Sequence, residues 1–256
     1  MTQNERLYFL LEYLINESEH YSDINIPNNI LEQKYLLRSL MNIRMPKPVS
    51  EYFIKIQDEY LRKEIADKGI TDAQTLIPIR DRLFIWQGDI TTLKCGSIVN
   101  AANSAMLGCF VPCHGCIDNA IHTYSGIQLR AECNNLMIKQ GHEEKVGQAK
   151  ITNAYNLPCD YVIHTVGPVV IRKPTKQNCE MLKSCYIECL KKADQYNIKS
   201  IAFCCISTGE FHFPNEKAAE IAVKTVTEYL QYSKIERVIF NVFNDKDKQI
   251  YKKLLK

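Results

Sequence analysis

Between Gly108 and His122 the chain reads Gly-Cys-Phe-Val-Pro-Cys-His-Gly-Cys-Ile-Asp-Asn-Ala-Ile-His, placing three thiols and an imidazole in the eight residues from Cys109 to Cys116. Thiolate and imidazole are side chains that bind Zn2+. Cys109, His114 and Cys116 supply three such donors on one short loop. Three protein ligands leave a tetrahedral position for water or substrate, as in catalytic zinc sites; Cys113 as a fourth would close the site and make it structural. Cys113 and His114 are adjacent, which makes joint coordination awkward. The bland alternative is a loop of partly buried thiols. The segment then runs into a helical pattern, Ile117, Ala120, Ile121, Tyr124 and Ile127, and a helix N-terminus is a seat for phosphate. A metal and a phosphate seat side by side point to a phosphorylated ligand.

Weaker signals lie elsewhere. Asp118 and Asn119 fall in the first turn of that helix, where acidic and amide groups are favourable in any protein; beside a metal, Asp118 is also placed to orient or deprotonate water. His122 is read as a packed or hydrogen-bonded histidine. Asp89 follows Gly88 at the end of an apolar run and suits either a turn cap or an exocyclic amine such as that of adenine. Asn100, Asn103 and Ser104 form an amide-rich loop able to hold ribose hydroxyls. Ser207-Thr208-Gly209-Glu210-Phe211 offers hydroxyls and backbone N–H groups for a diphosphate.

Elements that alternate along the chain must position these residues. Short apolar runs at 83–86, 97–99, 149–153, 161–166, 201–206 and 238–243 predict strands. Helical patterns over 118–140, 177–196, 215–232 and 246–255 separate them, which implies an α/β layered fold on a largely parallel sheet. Ligands in such sheets gather at the carboxyl ends of the strands, where Asp89, Asn100–Asn103 and Ser207–Phe211 fall. Residues 1–80 differ: Leu7, Leu10, Leu11 and Leu14, then Leu36, Leu37, Leu40 and Met41, then 51–66 repeat at helical spacing. They predict a helical extension packed on the main domain, with no catalytic constellation of its own.

Composition narrows the class. The chain has 256 residues, 46% apolar and 24% charged, with a net charge of +3. No apolar run approaches the roughly 20 residues that cross a bilayer, and no signal-peptide pattern opens the chain, so cytoplasmic location is expected. In that compartment the 11 cysteines are expected to be reduced, with Cys179, Cys185, Cys189, Cys204 and Cys205 as small apolar side chains. The charge is too small and too dispersed to indicate nucleic acid.

Read together, Gly88-Asp89-Ile90-Thr91, Val99-Asn100-Ala101-Ala102-Asn103-Ser104, Ile117–His122 and Ser207-Thr208-Gly209 resemble, in order and spacing, the macrodomain family. The resemblance spans residue 82 to the end and divides the chain into an extension, 1–80, and a macrodomain, 81–256. It implies a three-layer α/β/α module with a mixed, largely parallel sheet that binds ADP-ribose. It also implies roles. Asp89 would bind adenine, with Ile90 beside it and Phe243 and Asn244 flanking. Asn103 would contact the distal ribose, and Asp118 would serve hydrolysis. The pyrophosphate would rest on the loop carrying Cys113, Gly115, Ile117 and Asn119 and on Ser207, Thr208, Gly209, Glu210 and Phe211.

The sequence departs from the family where Pro112–Cys116 replaces a polyglycine run. With Cys109 and the extension, this resembles the zinc-dependent subgroup, which implies Cys109, His114 and Cys116 as zinc ligands. The activity implied is removal of mono-ADP-ribose from Asp or Glu side chains of proteins, in some members alongside a lipoyl-carrier protein and a sirtuin-type transferase. A non-catalytic ADP-ribose reader and an O-acetyl-ADP-ribose deacetylase are the alternatives. His212, where many relatives carry glycine, is a second departure and bears on the shape of the phosphate loop.

Overall fold

A computed structural model describes residues 1–256. Eight helices and eight strands follow one another: α1 (Gln3–Asn16), α2 (Ile30–Ile43), α3 (Glu51–Lys68), β1 (Thr71–Asp72), β2 (Leu83–Gln87), β3 (Leu93–Lys94), β4 (Ser97–Ala102), α4 (Ile117–Ser125), α5 (Ile127–Gln140), β5 (Ala149–Asn153), β6 (Tyr161–Val166), α6 (Lys176–Gln195), β7 (Ser200–Phe203), α7 (Asn215–Leu230), β8 (Arg237–Val242) and α8 (Asp245–Leu255). The main sheet has the order β2-β8-β7-β4-β6-β5. Every pairing in it is parallel except β5 with β6. Its central strands are apolar on both faces: Ile98, Val99, Ile163, Ile201, Ala202, Val238 and Ile239 are all inaccessible, as expected of a parallel sheet covered by helices on both sides. The mixed α/β/α architecture read from the motifs is the one observed.

The extension carries a small core of its own. Leu7, Leu10, Leu11 and Leu14 of α1 meet Leu37, Leu40 and Met41 of α2 and Phe53, Ile56, Tyr60 and Leu61 of α3. This cluster reaches the main domain through Ile127, at the start of α5. Further along, Ile65 and Ala73 join the large core, and β1 pairs with β3. The N-terminal helices and the main sheet are therefore stitched together before residue 81.

Three predicted elements differ from the structure. The single helix expected over 118–140 is two, because Gly126 adopts a φ of +97°, a conformation that glycine tolerates and other residues resist. A Cβ at Gly126 would lie 2.6 Å from Gln128 Oε1 and 2.7 Å from Gln57 Nε2. Gln57 of α3, itself inaccessible, accepts the Ile127 N–H through Oε1 at 3.0 Å and so supplies the cap that α5 lacks locally. The strand expected over 201–206 ends at Phe203, because Cys204–Ile206 leave the sheet for the turn at Ser207, whose φ is +65°. The last strand stops at Val242, leaving Phe243 79% exposed. Among the cysteines read as apolar, Cys185, Cys189 and Cys204 are buried, while Cys179 and Cys205 are half-buried. No helix is long and apolar enough to cross a membrane.

Gly126→Ala combines left-handed strain with steric overlap, so we expect a loss of about 1–3 kcal/mol, read as a fall in Tm of about 2–4 °C per kcal/mol in a chain of this size. An unchanged Tm would show that the α4–α5 break is not held by this residue.

Candidate functional site

The carboxyl ends of β2, β4, β7 and β8 open into a cleft of about 490 Å3. Its lining includes Asp89, Ile90, Gly115, Cys116, Ile117, Ser207, Thr208, Gly209, Glu210, Phe211 and Phe243. Eleven of the residues singled out in the sequence are thus brought to one surface, although they lie on four separate segments.

The floor is the start of α4. Its N-cap is Cys116, whose Sγ accepts the Asn119 N–H at 3.4 Å. The first intrahelical bond is Ala120 N–H to Cys116 O, so the N–H groups of Ile117 and Asp118 lack helical acceptors and favour an anion there. Facing them is the loop after β7. Its turn is closed by Phe213 N–H to Ser207 O and His212 N–H to Gly209 O, and Gly209, Glu210 and Phe211 direct no N–H into the backbone network. His212 sits at a φ of +55°, a left-handed region that glycine enters freely and other residues rarely adopt.

Beside the helix start, Cys109, His114 and Cys116 bring two Sγ atoms and a ring nitrogen within 4.8 Å of one another. Cys109 Sγ lies 3.6 Å from His114 Nδ1. A thiolate and an imidazole bound to one tetrahedral zinc sit about 3.6 Å apart, given Zn–S and Zn–N bonds of about 2.3 and 2.05 Å. The donor set therefore fits Zn2+ in chemistry and spacing. The other imidazole nitrogen, His114 Nε2, faces Glu210 Oε1 at 3.7 Å, where metal-bound histidines commonly keep a carboxylate. Burial above all, with the neighbouring Cys109 and Asp118 adding to it and the Asn119 N–H opposing, pushes the Cys116 thiol up to about 12. A thiolate at Cys116 thus calls for a cation beside it.

Cys113 is not part of this set. It takes a φ of +52° and turns its Sγ to Ser39 Oγ, 3.2 Å away on α2. Its N–H donates to Asn42 Oδ1 at 2.9 Å, so neither the thiol nor the amide faces the cleft. Asn119 is likewise consumed by structure: its Oδ1 accepts from Arg38 at 2.7 Å and its Nδ2 donates to Val111 O at 3.0 Å. Asn244 caps α8 by accepting the Asp247 N–H at 2.8 Å. The neighbouring Asp247 lines the cleft in its place.

Asp118 and Asn103 stand behind the cleft wall. Asp118 is 4% exposed. Asn100 Nδ2 donates to Asp118 Oδ1 at 2.7 Å, and Asn103 Nδ2 approaches Asp118 Oδ2 at 3.4 Å. Burial pushes the Asp118 carboxyl up to about 6, opposed by the Asn100 amide and by the Arg130 guanidinium. Behind Asn100 lies His164. Asn100 Nδ2 is 3.1 Å from His164 Nδ1, and His164 Nε2 is 2.9 Å from Thr152 Oγ1. The two hydrogens of the Asn100 amide then serve Asp118 and His164, which requires a neutral imidazole protonated at Nε2. Asn100 Oδ1 is left buried without a partner.

The extension supplies parts that carry no motif. Lys68, the last residue of α3, pairs with Asp89 Oδ2 at 2.8 Å and lies 3.4 Å from the centre of the Tyr124 ring. Burial works to raise the Asp89 carboxyl, but Lys68 and the Thr91 hydroxyl and N–H outweigh it and hold the group below its usual range. Arg38 of α2, Asn241 and Cys205 also line the cleft. Helical spacing marks Arg38 and Lys68 only as polar positions on amphipathic helices, so nothing in the sequence singles them out.

Comparison with known proteins places this geometry. The Macro domain family profile matches residues 99–222. A protein from Treponema medium named "Protein-ADP-ribose hydrolase" is 52% identical over 100% of both chains. Among solved structures, a macrodomain mutant from Oceanobacillus iheyensis with ADPR is 34% identical, covering 71% of this chain and 96% of that one at a TM-score of 0.64. The Trypanosoma brucei macrodomain in complex with ADP-ribose is 26% identical, covering 86% and 95% at a TM-score of 0.67. The chain belongs to the macrodomain family.

Burial takes the His164 imidazole down to about 3, so its ring signals in an NMR titration are expected not to move between pH 8 and about pH 5, the range in which ordinary histidines titrate. A midpoint near 6.5 would dismantle the His164–Asn100–Asp118 arrangement.

Proposed function

We propose that this protein is a zinc-dependent hydrolase that removes mono-ADP-ribose from Asp and Glu side chains of proteins, cleaving the ester to the distal ribose. The observation that carries the reading is the adjacency of the Cys109–His114–Cys116 donor set to the anion-binding start of α4. The names of the relatives support hydrolysis of protein-linked ADP-ribose, and the ADP-ribose complex of the Trypanosoma relative supports the ligand. Zinc dependence and the carboxyl-ester linkage rest on the donor set and on the resemblance to the zinc-dependent subgroup. A lipoyl-carrier protein modified by a sirtuin-type transferase is the partner that resemblance suggests.

The chain's own residues divide the work. Asp89 accepts from the adenine amine through the lone pair that Lys68 leaves on Oδ2. The N–H groups of Ile117, Asp118 and the 209–211 turn hold the pyrophosphate. Asn103 orients the distal ribose, and Asp118 offers Oδ2, the oxygen not engaged by Asn100, to position or deprotonate water. Cys109, His114 and Cys116 would hold Zn2+, which would supply Lewis-acid chemistry to a water or a ribose hydroxyl. The burial of Asp118 is the one observation that favours the second reading, a module that binds ADP-ribose without cleaving it.

The test is release of ADP-ribose from a protein modified on Asp or Glu by the zinc-loaded enzyme. We expect release that a chelator stops and Cys116→Ser abolishes, and a loss of about 10²–10⁴-fold in Asp118→Ala. Tight binding without release would establish the reader. Asp89→Ala removes a charged hydrogen-bond partner worth about 1.5–3 kcal/mol. We therefore expect ADP-ribose affinity to fall about 10–100-fold in calorimetry; unchanged affinity would place adenine elsewhere.

A further inference from the structure

One face of α2 grips the metal loop. Tyr35, Arg38, Ser39 and Asn42 recur at helical spacing, i, i+3, i+4 and i+7, and so share a side of the helix. All four touch the loop. Tyr35 O lies 3.4 Å from Cys113 Sγ and Ser39 Oγ 3.2 Å from it. Asn42, 1% exposed, accepts the Cys113 N–H through Oδ1 and donates through Nδ2 to Thr123 of α4 at 2.9 Å. Arg38 spans the loop and the helix that follows it: Nη2 donates to His114 O at 3.0 Å and to Asn119 Oδ1 at 2.7 Å, and Nε donates to Asn119 Oδ1 at 3.2 Å.

These contacts have a common effect on the donor set. Asn42 and Ser39 hold Cys113 in its left-handed turn with the thiol facing away, which keeps a fourth sulfur out of the cluster. Arg38 ties the carbonyl of His114 to the first turn of α4, where Cys116 is the cap. The backbone on either side of Cys116 is thereby held by a guanidinium from another part of the chain. A flexible loop with three donors would have to be ordered by the ion itself, at the expense of affinity; a loop already clamped does not.

We propose that Arg38 and Asn42 are positioning residues for the metal centre, so that the N-terminal helices set how tightly the protein holds Zn2+ and keep the site at three protein ligands. The proposal rests on the reading of Cys109, His114 and Cys116 as zinc ligands. Replacing Arg38 by lysine keeps charge and stem but loses the fork, since an ammonium is a point donor.

The experiment measures Zn2+ stoichiometry and affinity by competition with a chromogenic chelator for wild type, Cys116→Ser, Arg38→Lys and Asn42→Ala, with melting temperatures of the metal-free proteins alongside. The visible spectrum of each Co2+-loaded protein reports ligand geometry directly. We expect one tight Zn2+ in wild type and none in Cys116→Ser. We expect affinity about 10–100-fold weaker in Arg38→Lys and Asn42→Ala, with altered cobalt spectra and an Arg38→Lys apoprotein that melts with wild type. Absence of tight Zn2+ in wild type would overturn the zinc reading itself. Wild-type affinity and spectra in both α2 variants, with Cys116→Ser metal-free, would overturn only the clamp. Should Asn42→Ala melt early, Arg38→Lys, half-buried and charge-preserving, decides the matter.

Discussion

The first turn of α4 is the constraint on which the rest of the site depends. Successive residues of a helix point about 100° apart, so four consecutive side chains face four different neighbours. Cys116 turns to the thiol–imidazole cluster, Ile117 to the cleft, Asp118 to Asn100 on β4, and Asn119 to Arg38 on α2. The backbone between them presents N–H groups that have no helical acceptor. The thiol–imidazole cluster, the free N–H groups, the buried carboxylate and the tie to α2 therefore all meet in one helical turn.

Burial gives that unit its chemical character. The Asp118 carboxylate lies among Asn100, Asn103 and His122, with His122 Nε2 at 3.6 Å. Both nitrogens of His122 are buried without hydrogen-bond partners, and burial, with His164 and Arg130 adding to it, drives its pKa well below the ordinary range. A neutral His122 offers Asp118 no opposite charge, so the carboxylate depends on the Asn100 amide and on the more distant Arg130 guanidinium. Arg130 in turn is fixed by Met41 O, Arg44 O and Leu107 O at 2.7–3.0 Å, two of which belong to the α2 end of the extension. The extension thus reaches the site from two sides, through Arg38 to the Cys109–Cys116 loop and through Arg130 to the buried acid.

Much of this was legible in the sequence where one residue type does one job at a fixed spacing. The Ser207–Phe211 turn and Asp89 after Gly88 fall on the cleft, and the Cys109-x4-His114-x-Cys116 pattern gathers beside it, reaching its lining through Cys116. Residues chosen by proximity along the chain fared differently. Cys113, Asn119 and Asn244 sit between functional neighbours, yet each bonds to the scaffold, because side chains around a loop or helix point in all directions and some must hold it in place. Gly126 lay inside a continuous helical pattern, and only the approach of Gln57, from about 70 residues earlier, shows why the helix breaks there. Lys68 and Arg38 were invisible for the same reason: their partners, Asp89 and Asn119, are distant in sequence, and a polar residue on an amphipathic helix is ordinary.

The proposed function turns on three protein ligands that would hold a metal at the mouth of an ADP-ribose cleft. The most direct test is a crystal structure of the zinc-loaded protein with ADP-ribose, phased at the zinc absorption edge. We expect one anomalous peak bonded to Cys109 Sγ, His114 Nδ1 and Cys116 Sγ, with the distal ribose beside it and Cys113 still turned to Ser39. A peak that recruits Cys113 as a fourth ligand, or a ribose remote from the metal, would contradict it and make the ion structural.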